Sequence, residues 1–219
     1  TAGFDIVSYT GNGSARTISH SLSAVPNFMW FKCRNVAHGS LNYHSENTSA
    51  PETDSLSITY NSATADNNTH WNDTAPTSSV FSVGTADDVN QDTKTFIAYL
   101  FANVQGFQKS SGYIGNGNIT NGTFVYTGFR PAMVLVKRTN GTKDWKLFDN
   151  KRPGFNGEGD VLEPNNDDAE DSTEFLDFLS NGFKWKINNA AKYADVNGDG
   201  DTYVYYAVAE APFVNSKGV

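Results

Sequence analysis

The chain has 219 residues, of which 38% are hydrophobic, 13% aromatic and only 18% charged. Such a composition, rich in Asn, Thr, Ser and Gly, is typical of a turn-rich β protein with an aromatic and β-branched core. A net charge of −8 argues against nucleic acid or an anionic membrane as partner, and no apolar run is long enough to predict membrane insertion. The single cysteine, Cys33, excludes a disulfide framework. Because the chain starts at Thr1 without a Met or a signal peptide, we expect it to be part of a longer protein.

The sequence contains two related halves with their motifs in the same order. Residues 9–13 (YTGNG) return as 113–117 (YIGNG), and the apolar run 28–32 returns as 133–137. Three later matches follow in the same order: 79–81 with 181–183, 89–90 with 196–197, and 95–102 with 202–209. Internal repeats of this kind indicate repeated structural units. We therefore predict two homologous β-repeats, 1–107 and 108–219, packed closely against each other.

Within each half, short aromatic or β-branched runs between turn signals predict strands. The runs 96–101 and 203–208 are almost continuously apolar, as in central strands that are covered on both faces. Residues 168–179 are ambiguous, because a helix and a polar loop with one hydrophobic anchor fit equally well. Together the pattern predicts an all-β fold, an antiparallel β-sandwich of the jelly-roll or lectin-like type built from the two repeats.

A long polar insert, residues 46–77, interrupts the first half. Long loops on compact domains are either functional or disordered, so a binding surface is expected there. Trp71, Asn72 and Asp73 lie in the insert, and His44 lies just before it. An indole ring can stack on a sugar while amide, carboxylate and imidazole groups bind its hydroxyls. Packing of Trp71 against the domain is the alternative.

The second half supplies two further candidate ligand-binding residues. Trp145 lies among charged residues at 143–146, and Asp149 occupies the position that corresponds to His44. A tryptophan in polar surroundings is either a stacking surface or a residue that packs at an edge.

Residues 195–201 resemble the first half of a calcium-binding loop. Asp195, Asn197, Asp199 and Asp201 place oxygen ligands at alternate positions, and Gly200 is the sixth residue. The twelfth position, where a bidentate Glu belongs, is Tyr206. Ca²⁺ is therefore one interpretation of the loop and an acidic hairpin turn is the other; we expect no other cofactor.

No sequence motif indicates catalysis. The chain lacks a Gly-x-Ser-x-Gly nucleophile motif and a glycine-rich phosphate loop that ends in Lys-Ser or Lys-Thr. Carboxylates are plentiful, but the sequence alone does not pair them as a glycosidase would require. We expect the protein not to be an enzyme.

Several segments resemble a tail-fibre-like or uncharacterised structural domain from virions of marine bacteriophages. These segments extend over nearly the whole chain, at residues 7–13, 71–84, 124–132, 177–183 and 209–213. The resemblance implies a phage structural or host-recognition module with a β-sandwich like that of concanavalin A. The acidic turn at 195–201 departs from the uncharged turn usual in such domains, so an ion site there would be particular to this chain.

The resemblance implies a location in the virion or outside the cell. We expect a carbohydrate-binding module that recognises polysaccharide on a bacterial surface or secreted polysaccharide, as a homo-oligomer within a fibre. Two alternatives remain: a structural or decoration domain of the virion, and an accessory carbohydrate-binding module of a polysaccharide depolymerase.

Overall fold

The computed structural model describes residues 3–152, 160–172, 175–187 and 189–212. The chain divides into two compact units, Thr1–Asn103 and Val104–Val219. Both units consist mostly of antiparallel β-strands, as the composition predicts.

The larger sheet of unit 1 is antiparallel, with the strand order β1-β8-β3-β4-β5-β6, and β2 pairs with β7 separately. The long polar insert is partly regular, because it forms β5 and β6 at the edge of the larger sheet as well as α1. The elements described in unit 1 are β1 (Phe4–Thr10), β2 (Arg16–Ser19), β3 (Phe28–Cys33), β4 (Leu41–His44), β5 (Asp54–Ser57), β6 (Ala65–Asp66), α1 (Asn68–Trp71), β7 (Val80–Val83), α2 (Asp87–Asn90) and β8 (Thr95–Phe101).

Unit 2 has a four-stranded sheet in the order β12-β11-β15-β9 and a three-stranded sheet in the order β10-β14-β13. Its described elements are β9 (Gln108–Ile114), β10 (Phe124–Tyr126), β11 (Pro131–Arg138), β12 (Lys146–Asp149), β13 (Leu176–Leu179), β14 (Gly182–Trp185), α3 (Tyr193–Val196) and β15 (Thr202–Ala209).

The helix considered for residues 168–179 does not form among the residues described there. Residues 176–179 are strand β13, in which Leu176 and Phe178 are buried while Asp177 and Leu179 are partly exposed. That alternation has the period of two expected of a strand with one buried face. Residues 173 and 174 lie outside the described residues.

Strands that correspond by sequence have the same neighbours in both units. The order β1-β8-β3-β4 in unit 1 matches β9-β15-β11-β12 in unit 2, and the pair β2-β7 matches β10-β14. In each unit one face of the larger sheet and the inner face of the smaller sheet contribute to one hydrophobic core. Phe81 of β7 and Phe183 of β14 are fully buried at equivalent places in these cores.

A buried asparagine joins the loop after the first strand to the helical turn before the last strand of each unit. In unit 1, Nδ2 of Asn90 donates to the carbonyls of Ser14 and Gly84, both at 2.7 Å, and its Oδ1 accepts from the backbone N of Asn12. In unit 2, Asn197 makes the equivalent bonds, to the carbonyl of Asn118 and from the backbone N of Asn116. We call each arrangement the asparagine clasp of its unit.

A tyrosine hydroxyl reinforces each clasp. Tyr9 donates to the carbonyl of Val89 at 2.6 Å, and Tyr113 donates to the carbonyl of Val196 at 2.7 Å. The first glycine of the following Gly-Asn-Gly is needed because a Cβ at Gly11 would lie 2.1 Å from the Gln91 carbonyl oxygen. The recurrence of Tyr-x-Gly-Asn-Gly together with Val-Asn therefore has one structural cause.

The turn that precedes the last strand contains a backbone position at which the two units differ. Thr93 has φ of 65° and Gly200 has φ of 70°, and their backbone N–H groups donate to Gly11 and Gly115 respectively. A β-branched residue in the left-handed region is strained, whereas glycine adopts it readily.

We predict that Thr93→Gly stabilises unit 1 by about 1 kcal/mol, because relief of strain outweighs the entropy that glycine adds to the unfolded state. The reciprocal change, Gly200→Thr, should destabilise unit 2 by a similar or larger amount. Chemical denaturation of both variants measures these effects. A loss of stability in Thr93→Gly would show that the threonine side chain contributes more than its strained backbone costs.

Candidate functional site

Trp71 lies in the core of unit 1. It ends α1, a single turn whose first residues are capped by the side chain of Asn67, and its side chain is 1% exposed. The indole ring contacts Phe31 and Tyr43, and its Nε1 donates to the carbonyl of Asp54 at 2.9 Å. Neither face of the ring is open to a sugar, so the structure corrects the stacking interpretation in favour of packing.

The structure does not bring the other candidates of unit 1 together with the Trp71 ring. His44 follows Tyr43 on β4, so its side chain faces the opposite side of the sheet, where it is buried against Phe28. Asn72 and Asp73 are exposed and adopt φ of 54° and 44°. Only these two remain accessible to a ligand.

The candidate ligand-binding residues of unit 2 also make contacts within the protein itself. Trp145 is 2% exposed, and its backbone N donates to Asn165 Oδ1. Partial burial acts to raise the pKa of Asp149, but hydrogen bonds from the backbone of Lys151 and from Arg152 outweigh that effect and lower the pKa. Trp145 thus offers no exposed ring, and Asp149 organises the turn that follows β12.

The oxygens of the acidic loop at 195–201 mostly bind groups of the protein itself. Asp195 is buried and pairs with Lys143 at 2.8 Å and with Lys146 at 3.3 Å. Asp201 pairs with Arg138 at 2.6 Å, and the Asn197 amide belongs to the clasp.

Asp199 of the same loop is exposed at the surface. Within the described ranges, no three His, Cys, Asp or Glu side chains are grouped so that they could hold a metal ion. The calcium interpretation therefore depends on the sequence pattern alone.

Two aromatic side chains that the motifs did not indicate lie exposed on β10 of unit 2. Phe124 is 44% and Tyr126 is 59% exposed, while Val125 between them is buried in the core. Gly182 of β14 lies opposite Tyr126, and a Cβ there would come within 3.1 Å of the Phe124 ring and 2.1 Å of the Val125 carbonyl oxygen. The glycine lets the Phe124 ring lie close to the sheet, so that the outer face of β10 is aromatic.

Polar and basic groups surround the two rings. Lys109 Nζ lies 5.4 Å from the centre of the Tyr126 ring and donates to the Tyr126 carbonyl at 2.9 Å. Lys184 is the cross-strand partner of Phe124, and its Nζ donates to Asn121 Oδ1 at 2.6 Å. We call the surface formed by Phe124, Tyr126, Lys109, Lys184 and Asn121 the β10 platform.

Unit 1 forms the same strand pair without exposed aromatic rings. Ile18 pairs with Phe81 as Val125 pairs with Phe183, so Thr17 and Ser19 occupy the places of Phe124 and Tyr126. The fold therefore does not require aromatic side chains at these outward positions. Adjacent exposed rings that folding does not require make this face a candidate binding surface.

The whole described chain can be placed in one family. A family model described as a domain of unknown function, DUF7483, matches residues 1–212. The chain belongs to this family. The match extends over both units, so the family comprises the pair and not one unit alone.

Neither a curated protein nor a solved structure gives a significant match to the chain. Among the helices in the described ranges, none has the length and apolar character needed to cross a membrane.

We predict that Trp71→Ala lowers the free energy of unfolding by about 3 to 5 kcal/mol, because it removes a fully buried ring and its hydrogen bond. Tyr60→Ala, which removes an exposed ring of the same unit, should change stability by less than about 0.5 kcal/mol. Chemical denaturation compares the two. An unchanged stability in Trp71→Ala, together with lost sugar binding, would restore the stacking interpretation.

Lys137 on β11 is buried, and its Nζ donates to the Arg138 carbonyl at 2.7 Å. Burial lowers the pKa of Lys137 to about 8; nearby Asp144 opposes this shift and Arg138 adds to it. Between pH 8 and the ordinary value of 10.5 the unfolded state binds more protons than the native state. Stability contributed at this position therefore increases as the pH rises through that range.

We predict that, from about pH 7 to about pH 9.5, the wild type gains on the order of 2 kcal/mol of stability relative to Lys137→Met. The difference in the free energy of unfolding between the two proteins cancels the contribution of the titrating tyrosines, which both proteins share. Denaturant unfolding at several pH values measures it, with Lys151→Met, an exposed lysine, as control. If the free energy of unfolding changed with pH in the same way for all three proteins, that result would contradict the lowered pKa of Lys137.

Proposed function

We propose that this chain is a non-catalytic carbohydrate-binding module of a virion-type, extracellular protein, and that its β10 platform contacts polysaccharide. The observation that carries the proposal is the exposed pair Phe124 and Tyr126, at positions where unit 1 has Thr17 and Ser19. Aromatic faces complement the C–H faces of sugar rings, and neighbouring donors and acceptors bind the hydroxyls. The ligand we propose is polysaccharide on a bacterial surface or secreted by bacteria.

The fold proposed for this role is a lectin-like β-sandwich made of two homologous repeats. Support comes from the shared strand order of the units and from the two asparagine clasps. The resemblance to phage tail-fibre-like domains supports a place in a fibre. There, several copies of a weak site would bind through avidity, since linked sites raise the effective concentration of one another.

The test compares the wild type with Phe124→Thr/Tyr126→Ser, which gives β10 the outward residues of β2. We predict that affinity electrophoresis in gels containing bacterial polysaccharides retards the wild type and not the variant. The affinity should fall about tenfold or more, which corresponds to ~1.4 kcal/mol. The melting temperature should change little, because unit 1 carries Thr and Ser at these positions.

Tyr60→Ser is the matched control, because it removes an exposed ring from unit 1. Repeating the electrophoresis with Ca²⁺ and with a chelator tests whether the loop at 195–201 makes polysaccharide binding depend on calcium. Equal retardation of the wild type and the double variant would exclude the platform. Failure of the wild type to bind any polysaccharide would leave a structural or decoration domain as the function.

A further inference from the structure

The lysines around the β10 platform differ from most other cations of unit 2. Six basic side chains of this unit pair with carboxylates; they are Arg130, Arg138, Lys143, Lys146, Arg152 and Lys192. Among the ion pairs formed by described residues, none includes Lys109, Lys184 or Lys186. In a chain with a net charge of −8, three unpaired cations on one surface are unexpected.

Position along the strands places Lys184 and Lys186 on the outward face of the smaller sheet, and Lys109 at the Tyr126 ring. Lys184 and Lys186 alternate on β14 and just after it with the buried Trp185 and Ile187, so both face outward like Phe124. Lys109 reaches the Tyr126 ring from β9. Neutral oxygens hold two of the amines, Asn121 Oδ1 for Lys184 and the Tyr126 carbonyl for Lys109, which leaves their charge available to a ligand.

The corresponding positions of unit 1 carry no positive charge. By strand register, Lys109 corresponds to Asp5, Lys184 to Ser82 and Lys186 to Gly84. At these positions, basic residues and exposed aromatic rings therefore occur together in unit 2, and unit 1 has neither. Among the described residues, Asp177 on β13 lies opposite Lys184 and offsets part of this positive charge.

We propose that the β10 platform binds anionic polysaccharide, whose carboxylate or sulfate groups contact Lys109, Lys184 and Lys186 while Phe124 and Tyr126 stack on the sugar rings. The inference rests on the proposed carbohydrate-binding function and narrows it to one class of ligand. A lysine amine paired only with neutral acceptors gains a charge-assisted hydrogen bond when an anion arrives.

The experiment measures binding of the full chain to three immobilised polymers: dextran as the neutral probe, alginate as the carboxylated probe and dextran sulfate as the sulfated probe. We expect at least one anionic polymer to bind about tenfold or more tightly than dextran. Lys184→Gln/Lys186→Gln should abolish that preference. The preference should also decline in about 1 M NaCl, where the Debye length falls to about 3 Å.

Two controls separate a built site from overall charge. Lys32→Gln/Lys94→Gln makes the same change in net charge on unit 1 and should bind like the wild type. Phe124→Thr/Tyr126→Ser should lose binding to the preferred polymer even at low salt. The affinities for alginate and dextran sulfate identify which anionic group the site takes.

Equal affinity for dextran and both anionic polymers would overturn this inference and leave the carbohydrate-binding function standing. Equal losses in the two double-lysine variants would also overturn it, because binding would then follow net charge. Absence of binding to all three polymers, and to the bacterial polysaccharides tested above, would instead refute the proposed function itself.

Discussion

The asparagine clasp is the constraint on which the rest of each unit depends. The side chain of Asn90 is fully buried, and a buried amide is costly unless its hydrogen bonds are made. Those bonds join the loop after β1 to the helical turn before β8, which are nearly eighty residues apart in sequence. Because β2 begins directly after that loop, the clasp also sets the position at which the smaller sheet begins relative to the larger sheet. Asn197 does the same for β10 in unit 2.

This dependence explains which parts of the fold the sequence predicts well. The repeated Tyr-x-Gly-Asn-Gly and Val-Asn motifs are conspicuous in the sequence because the tyrosine hydroxyl and the buried asparagine make specific hydrogen bonds, and because the first glycine lies where a Cβ would collide with a carbonyl oxygen. The long strands β8 and β15 are predictable from their continuous runs of apolar or aromatic residues. Only β15 is buried on both faces over most of its length, because alternate residues of β8 are partly exposed. Residues 168–179 are harder, because a four-residue strand is too short for its period to exclude a helix.

The candidate site was predicted less well than the fold, and the tryptophans show why. Trp71 and Trp145 have polar neighbours in the sequence, yet both rings are buried. A single helical turn can direct one large side chain inward while adjacent polar residues stay at the surface, and only the tertiary structure shows that direction. In the acidic loop the oxygens alternate as calcium ligands do, and the tertiary structure pairs Asp195 with Lys143 and Lys146 and Asp201 with Arg138.

The β10 platform could have been found by comparing the two halves at strand register instead of searching each for motifs. Core-facing residues are alike in both, Ile18 with Phe81 and Val125 with Phe183, because each core must be filled. Outward residues of the same strands have no such requirement and can diverge at little cost in stability. Where one copy has small polar groups and the other has exposed rings and unpaired lysines, folding does not account for the difference. The binding that we propose accounts for the rings and the lysines together.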